Sequence, residues 1–244
     1  MNLTDEQIKI CKQIVMTFET GKPRGDYSCV AVLADGPGDP KRRQISYGIV
    51  QTNEHSYLYQ LLVAYGANDG IYTRELNPYK SNINDLDLSI DPPMTILSQN
   101  DSFKNLLRQA GSDPIMQKCQ DNLVDEKWFV PTLEWCNRER MELPLAAAVI
   151  YDSFINSGGV SSELRNTFKE CTPRFGGDEC TWIIKYVQAR REWLELHYPH
   201  NVVRMCNFQK LIVTNNWQLT PPIKIYTYEN NGFLGGRAIE ILGS

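Results

Sequence analysis

The sequence predicts an α+β fold that is mainly α, with one small β-hairpin close to its N-terminal end. Two observations carry this. Several long segments repeat apolar residues every three or four positions, the helical period, and only one pair of short, β-branched stretches flanks a turn of Gly, Pro and Asp. With 244 residues the chain is long enough to bury a sizeable core. The expected organisation is a single domain, 1–244, built of two lobes. No internal repeat or low-complexity tract is present.

The first helix starts at a capping signature, Thr4 with Gln7 three positions on, and places Ile8, Cys11, Ile14, Val15 and Phe18 on one face. Gly21 and Pro23 end it, so Glu19 lies in its last turn. Residues 27–34 read as a strand, 35–43 as a turn and 44–51 as the returning strand. Residues 54–65 read as a helix with Leu58, Leu61, Leu62 and Tyr65 inward. Residues 77–93, rich in Asn, Asp and Pro, read as a loop or lobe connection. Helices are expected over 102–110 and 115–136, where Pro131 either starts a new helix or kinks the old one.

The most apolar segment, 144–155, has Pro at its start and the length of a buried central helix. Asp152 lies inside it and requires a partner, so an Arg from elsewhere is expected beside it. Residues 178–197 form a long amphipathic helix with Trp182, Tyr186, Ala189, Trp193 and Leu196 on one face. Residues 208–213 lead into a turn-rich tail expected to pack with little regular structure.

Composition narrows the function. The chain is 42% hydrophobic and 22% charged, with no apolar run of membrane-spanning length, so membrane insertion is not expected. A net charge of -4 gives no electrostatic support for nucleic-acid binding. The seven cysteines are odd in number and form no CxxC pair, which argues against zinc and a full disulfide framework. Arg24 to Asp26 spells RGD, a string short enough to occur by chance. Lys41, Arg42 and Arg43 are the tightest basic run, at the hairpin tip.

The chemistry suggested by the residues is that of two carboxyls. Glu19 at a helix end and Asp35 at the hairpin turn supply the pair that glycoside hydrolysis needs, one to protonate the leaving oxygen and one to activate water. Ser46 on the returning strand offers a hydroxyl to hold that water. Gly48 offers room for a sugar, and Tyr47 and Gln51 beside it are expected to contact substrate.

Several stretches in order, TFETG around Glu19, ISYGIVQ, PLAAAVIYDSFINSGG, FGGDECTWIIKYVQARREWL and NWQLTPPIKI, together resemble family 46 chitosanases and the wider lysozyme-like superfamily. The resemblance implies a lysozyme-like two-lobed fold with a small β-hairpin beside the active-site cleft. It implies Glu19 as general acid, Ser46 as the water-holding hydroxyl, and Asp152, Glu179 and Arg190 as a structural ion-pair network. The turn DGPGDPKRR departs from the chitosanase pattern, leaving Asp35 or Asp39 as the second carboxylate, with Asp35 preferred because it closes the first strand. An acid plus a base with water between them implies inversion.

The mild net charge and the basic tip favour bacterial cell-wall peptidoglycan, cut in the manner of a muramidase, over polycationic chitosan. The open alternatives are chitosan hydrolysis, a lytic transglycosylase, and a non-catalytic glycan-binding protein. No cofactor or metal is expected. The expected partner is the polysaccharide, and a toxin or endolysin with antibacterial action could also meet a cognate inhibitor protein. The amino terminus lacks a basic start and an apolar stretch, which predicts synthesis in the cytoplasm and action on the wall after non-classical release or injection.

Overall fold

In a computed structural model, residues 1–227 and 237–243 are described. In chain order the principal elements are α1 (Asp5–Thr20), β1 (Val30–Leu33), β2 (Gln44–Tyr47), β3 (Thr52–Asn53), α2 (Leu58–Ala67), β4 (Leu86–Asp87) and β5 (Met94–Thr95). They continue with α3 (Asp101–Ala110), α4 (Pro114–Val124), α5 (Val130–Glu139), α6 (Pro144–Ser157), α7 (Glu179–His197), α8 (Val202–Val213), β6 (Ile223–Tyr226) and β7 (Ala238–Ile241). The chain divides into two compact units, Met1–Arg24 with Glu126–Ser244, and Gly25–Asp125.

The first unit is helical. Its α1 begins as the sequence predicts, with Thr4 Oγ1 accepting from the Gln7 N–H at 3.2 Å and Gln7 Oε1 accepting from the Thr4 N–H at 3.0 Å. It stops at Gly21, whose φ of 70° is left-handed and whose N–H donates to the Thr17 carbonyl. Helix α1 packs on α6, in which every residue from Pro144 to Ser153 is buried. Helix α7 is capped by Asp178, which accepts from the Thr181 N–H at 2.8 Å. Its inward face is Trp182, Ile183, Tyr186, Val187, Arg190 and Leu194. Leu196, expected on that face, is 82% exposed, because the stripe drifts around the helix over five turns.

Two further expectations for this unit are corrected. Residues 208–213, read only as leading into the tail, are the second half of helix α8, which starts at Val202. The tail is not irregular: β6 pairs antiparallel with β7, Ile223 opposite Ile241 and Ile225 opposite Ile239. Residues 228–236, which the tail prediction also covered, lie outside the described residues. Of the two alternatives left open for the helical stretch 115–136, a new helix at Pro131 is the one present: a π-helical turn at Asp125–Phe129 separates α4 from α5, which has Pro131 in its first turn. Pro131 lies two residues beyond the π-helical turn; it has no N–H and its ring crowds the carbonyl four residues back, so the regular bonding pattern cannot run through it.

The second unit carries the small sheet, in the order β1-β2-β3 and antiparallel throughout. All four β2 residues are buried. The hairpin closes where Gly36 N–H donates to the Arg42 carbonyl at 3.1 Å, and a side chain at Gly36 would collide with Arg42. Strand β2 ends at Gly48, whose φ is +80° and whose missing Cβ makes room for the Gln120 amide.

Glu54, predicted as the first residue of a helix, precedes it. Its buried carboxylate accepts from the Ile45 N–H (3.0 Å), the Thr95 hydroxyl (2.5 Å) and the Asn84 N–H (3.2 Å), which ties β2 to the β4–β5 region. Residues 77–93 are not a connection between units. Asn77–Asn82 forms a 3-10 turn and Leu86–Asp87 pairs with Met94–Thr95, all inside the second unit.

Candidate active site

Glu19 leaves α1 in its last turn with a half-buried side chain, 14% exposed. Arg204, from α8, donates through Nη2 to Glu19 Oε1 at 2.8 Å and through Nη1 to Asp152 Oδ1 at 2.9 Å. One guanidinium thus bridges two carboxylates. Burial alone would lower the Arg204 pKa, but Glu19 and Asp152 outweigh it and hold the guanidinium above its ordinary value. On the other side of Asp152, Arg190 Nη2 lies 3.2 Å from Oδ2, and Arg190 also donates to Ser153 Oγ and Asn156 Oδ1. Tyr186 OH donates to the same serine at 2.9 Å. Phe18 flanks the cluster, with the Arg204 guanidinium 5.4 Å from its ring centre.

The predicted pairing of Asp152 with Arg190 is therefore present, and Arg204 joins it. Glu179 is not a member. Its carboxylate accepts from the backbone N–H of Leu143 (2.8 Å) and of Glu142 (3.0 Å), at the start of α6. Burial raises its pKa above the ordinary value, partly countered by those two bonds. The expected triad is corrected to Asp152, Arg190 and Arg204. Arg204 was missed because residues 198–207 were given no element; an Arg between Val203 and Met205, with Phe208 one turn on, carries the same signal of a buried charge as Asp152.

In the second unit Asp35 is exposed at the hairpin turn, and its Oδ1 accepts from Gln44 Nε2 at 3.0 Å. Asp39 is exposed farther along the same turn. Ser46 and Gln44 share one face of β2, since side chains alternate along a strand. The Ser46 hydroxyl is enclosed and has no hydrogen-bond partner, so in this conformation it does not meet bulk water.

The expectation that Tyr47 touches substrate is corrected, because its side chain is 0% exposed and burial pushes its pKa up. Gly48 is corrected likewise: the space at its Cα is filled by Gln120, whose Oε1 accepts from the Ile49 N–H at 3.1 Å, and not left for a sugar. Gln51 is half-buried in the turn before β3, at a φ of 49°. Of the basic run, Arg42 is committed to Asn84 Oδ1 at 3.0 Å, leaving Lys41 and Arg43 exposed. Among the described residues no cluster of His, Cys, Asp and Glu could hold a metal ion, and no helix is long and apolar enough to cross a membrane.

Solved structures of low sequence identity share this architecture. The chitosanase of Gynuella sunshinyii in complex with chitotetraose is 20% identical, with a TM-score of 0.77 over 98% of this chain and 99% of its own. The native chitosanase of Bacillus subtilis MY002 is 22% identical, with a TM-score of 0.74 over 98% of this chain and all (100%) of its own. The fold is thus the lysozyme-like one of those structures. More specifically, the Glycosyl hydrolase family 46 profile matches residues 13–223, and the chain belongs to that family and is a glycoside hydrolase. The chitosanase of Bacillus subtilis strain 168 is 22% identical over 250 residues, covering 95% of this chain and 86% of that protein. Glu19, Asp35, Ser46, Asp152, Arg190 and Arg204 all fall within the matched span.

Proposed function

We propose that this chain hydrolyses chitosan, cutting β-1,4 links between glucosamine units with inversion. The observation that carries the reading is the family match over residues 13–223, to a family whose similar members above are chitosanases. This replaces the expectation of peptidoglycan, which rested on charge. Arg42, engaged with Asn84, weakens the basic tip on which that expectation relied.

Glu19 gives its proton to the leaving oxygen. Arg204 donates to Oε1, so the proton is carried on the other oxygen. Asp35 removes a proton from the attacking water, and Ser46, whose hydroxyl has no partner, assists once the bound state exposes it. Asp39 takes the place of Asp35 only if Asp35→Asn is active and Asp39→Asn is not.

The test is digestion of purified chitosan and purified peptidoglycan side by side, with mass spectrometry of products and early NMR of product anomers. Glucosamine oligomers of inverted configuration and intact peptidoglycan are expected. Muropeptides without chitosan products would restore the cell-wall reading, anhydro ends would indicate a lytic transglycosylase, and no product from either polymer a binding protein. Glu19→Gln should lower kcat on the substrate cleaved by about 10²–10⁴-fold; wild-type turnover would remove Glu19 from the mechanism.

A further inference from the structure

We propose that Gln44 is a positioning residue for Asp35, an inference that rests on Asp35 activating the water. The two side chains meet where the hairpin closes. Gln44 lies on β2 opposite Leu33, and its Nε2 donates to Asp35 Oδ1 at 3.0 Å. Its side chain is sealed, the residue being 1% exposed, while Asp35 stands exposed in the turn.

The amide has one orientation compatible with an ionised partner. Turned round, its Oε1 would face a carboxylate oxygen, two acceptors with no proton between them. In the orientation present, that Oε1 is enclosed and has no hydrogen-bond partner. A buried acceptor without a partner costs at least as much as one bond to an exposed group returns. Stability therefore does not account for a glutamine at this position, since an apolar side chain of the same length would avoid the orphaned oxygen. What the amide supplies is direction: it fixes one carboxylate oxygen of Asp35 and leaves the other to take the proton from water. The strand beneath is fixed in turn, because the next residue, Ile45, donates its N–H to the buried Glu54 carboxylate, itself held by Thr95 and Asn84.

The test compares Gln44→Met and Gln44→Glu with the wild-type enzyme on the polymer it cleaves, each assayed well below its melting temperature. Gln44→Met removes the donor at equal length. It should melt no lower than wild type, lose about 10- to 100-fold in kcat, as misplacement of a reacting group does, and keep its KM. Gln44→Glu can donate only when the new carboxyl is protonated, so its kcat relative to wild type should rise as pH falls from 7 to 5, while that of Gln44→Met stays flat. In an Asp35→Asn background Gln44→Met should have no further effect on kcat.

Wild-type kcat in Gln44→Met, or a loss that persists undiminished in the Asp35→Asn background, overturns the inference and leaves Asp35 as the base. Near wild-type turnover by Asp35→Asn alone overturns the assignment of Asp35, and the inference with it. Should Gln44→Met not fold, the pH response of Gln44→Glu decides: no rise toward acid refutes the role.

Discussion

Arg204 gives Glu19 what its own helix lacks. The last turn of α1 contains no basic side chain, and a helix C-terminus carries roughly half a negative charge, so a carboxylate there is disfavoured until a cation meets it. Arg204 meets it and Asp152 together through two separate nitrogens of a fixed planar fork, a geometry that the single nitrogen of a lysine ammonium does not reproduce. Arg204→Lys should therefore fold yet lose about 10²-fold in kcat through misplacement of Glu19. Arg204→Ala should cost less than the roughly 3–5 kcal/mol of stranding a buried charge, because Arg190 still pairs the fully buried Asp152. Steady-state kinetics and thermal melting separate the two effects, and an Arg204→Lys enzyme with wild-type kcat would contradict the positioning. At this scale the sequence announced one half of the network. A charge in the apolar helix of Asp152 demanded an Arg, and Arg190 answers it at 3.2 Å. Arg204 stands among apolar neighbours too, but the stretch that carries it was assigned no helix.

Strand β2 illustrates why a correct element still misassigns its residues. The segment has the composition of a strand, yet all of Gln44–Tyr47 is buried, so the alternation that separates a wet face from a dry one is absent and Tyr47 was taken for a surface residue. Helix α6 has a related feature. Its N-cap position is Leu143, which has no side-chain acceptor, and Glu179 at the start of α7 supplies the acceptor instead. No local rule detects a cap that comes from 36 residues away. Glu179→Ala should lower stability by about 1 kcal/mol, the usual cost of a lost cap. Glu179→Gln, which keeps an oxygen and carries no half-buried charge, should lose less. Urea unfolding midpoints at unchanged slope test the order of the two variants, and equal losses would argue against the cap.

Across the whole molecule, the helical period made the long helices legible, and the Gly- and Pro-rich turn made the hairpin so. Two lobes were expected, but where the chain divides into its two units was not legible, since it depends on contacts distant in sequence; the polar stretch 77–93 imitates a linker but folds within one unit. The C-terminal hairpin did leave a trace, because Ile223 and Ile225 are buried on either side of exposed Lys224, a period of two that the neighbouring turn residues obscured. The second unit has its own buried anchor in Asp113, which caps α4 and accepts from Tyr65 OH (2.5 Å), Ile115 N–H (2.9 Å) and Ile71 N–H (3.0 Å). Burial alone would raise the Asp113 pKa, but these three bonds prevail and hold it below the ordinary aspartate value. A carboxyl depressed on folding contributes stability above its unfolded pKa, about 3.9, and that contribution is lost as pH falls through the depressed folded value. Asp113→Asn should therefore be less stable than wild type at pH 7, by about 1–3 kcal/mol, because an amide nitrogen replaces one acceptor and opposes an N–H. The gap should close as pH drops below that of free aspartate. Urea unfolding of both proteins from pH 7 downward measures it, and a gap that stays constant into acid would mean that the hydrogen bonds do not depend on the charge of Asp113.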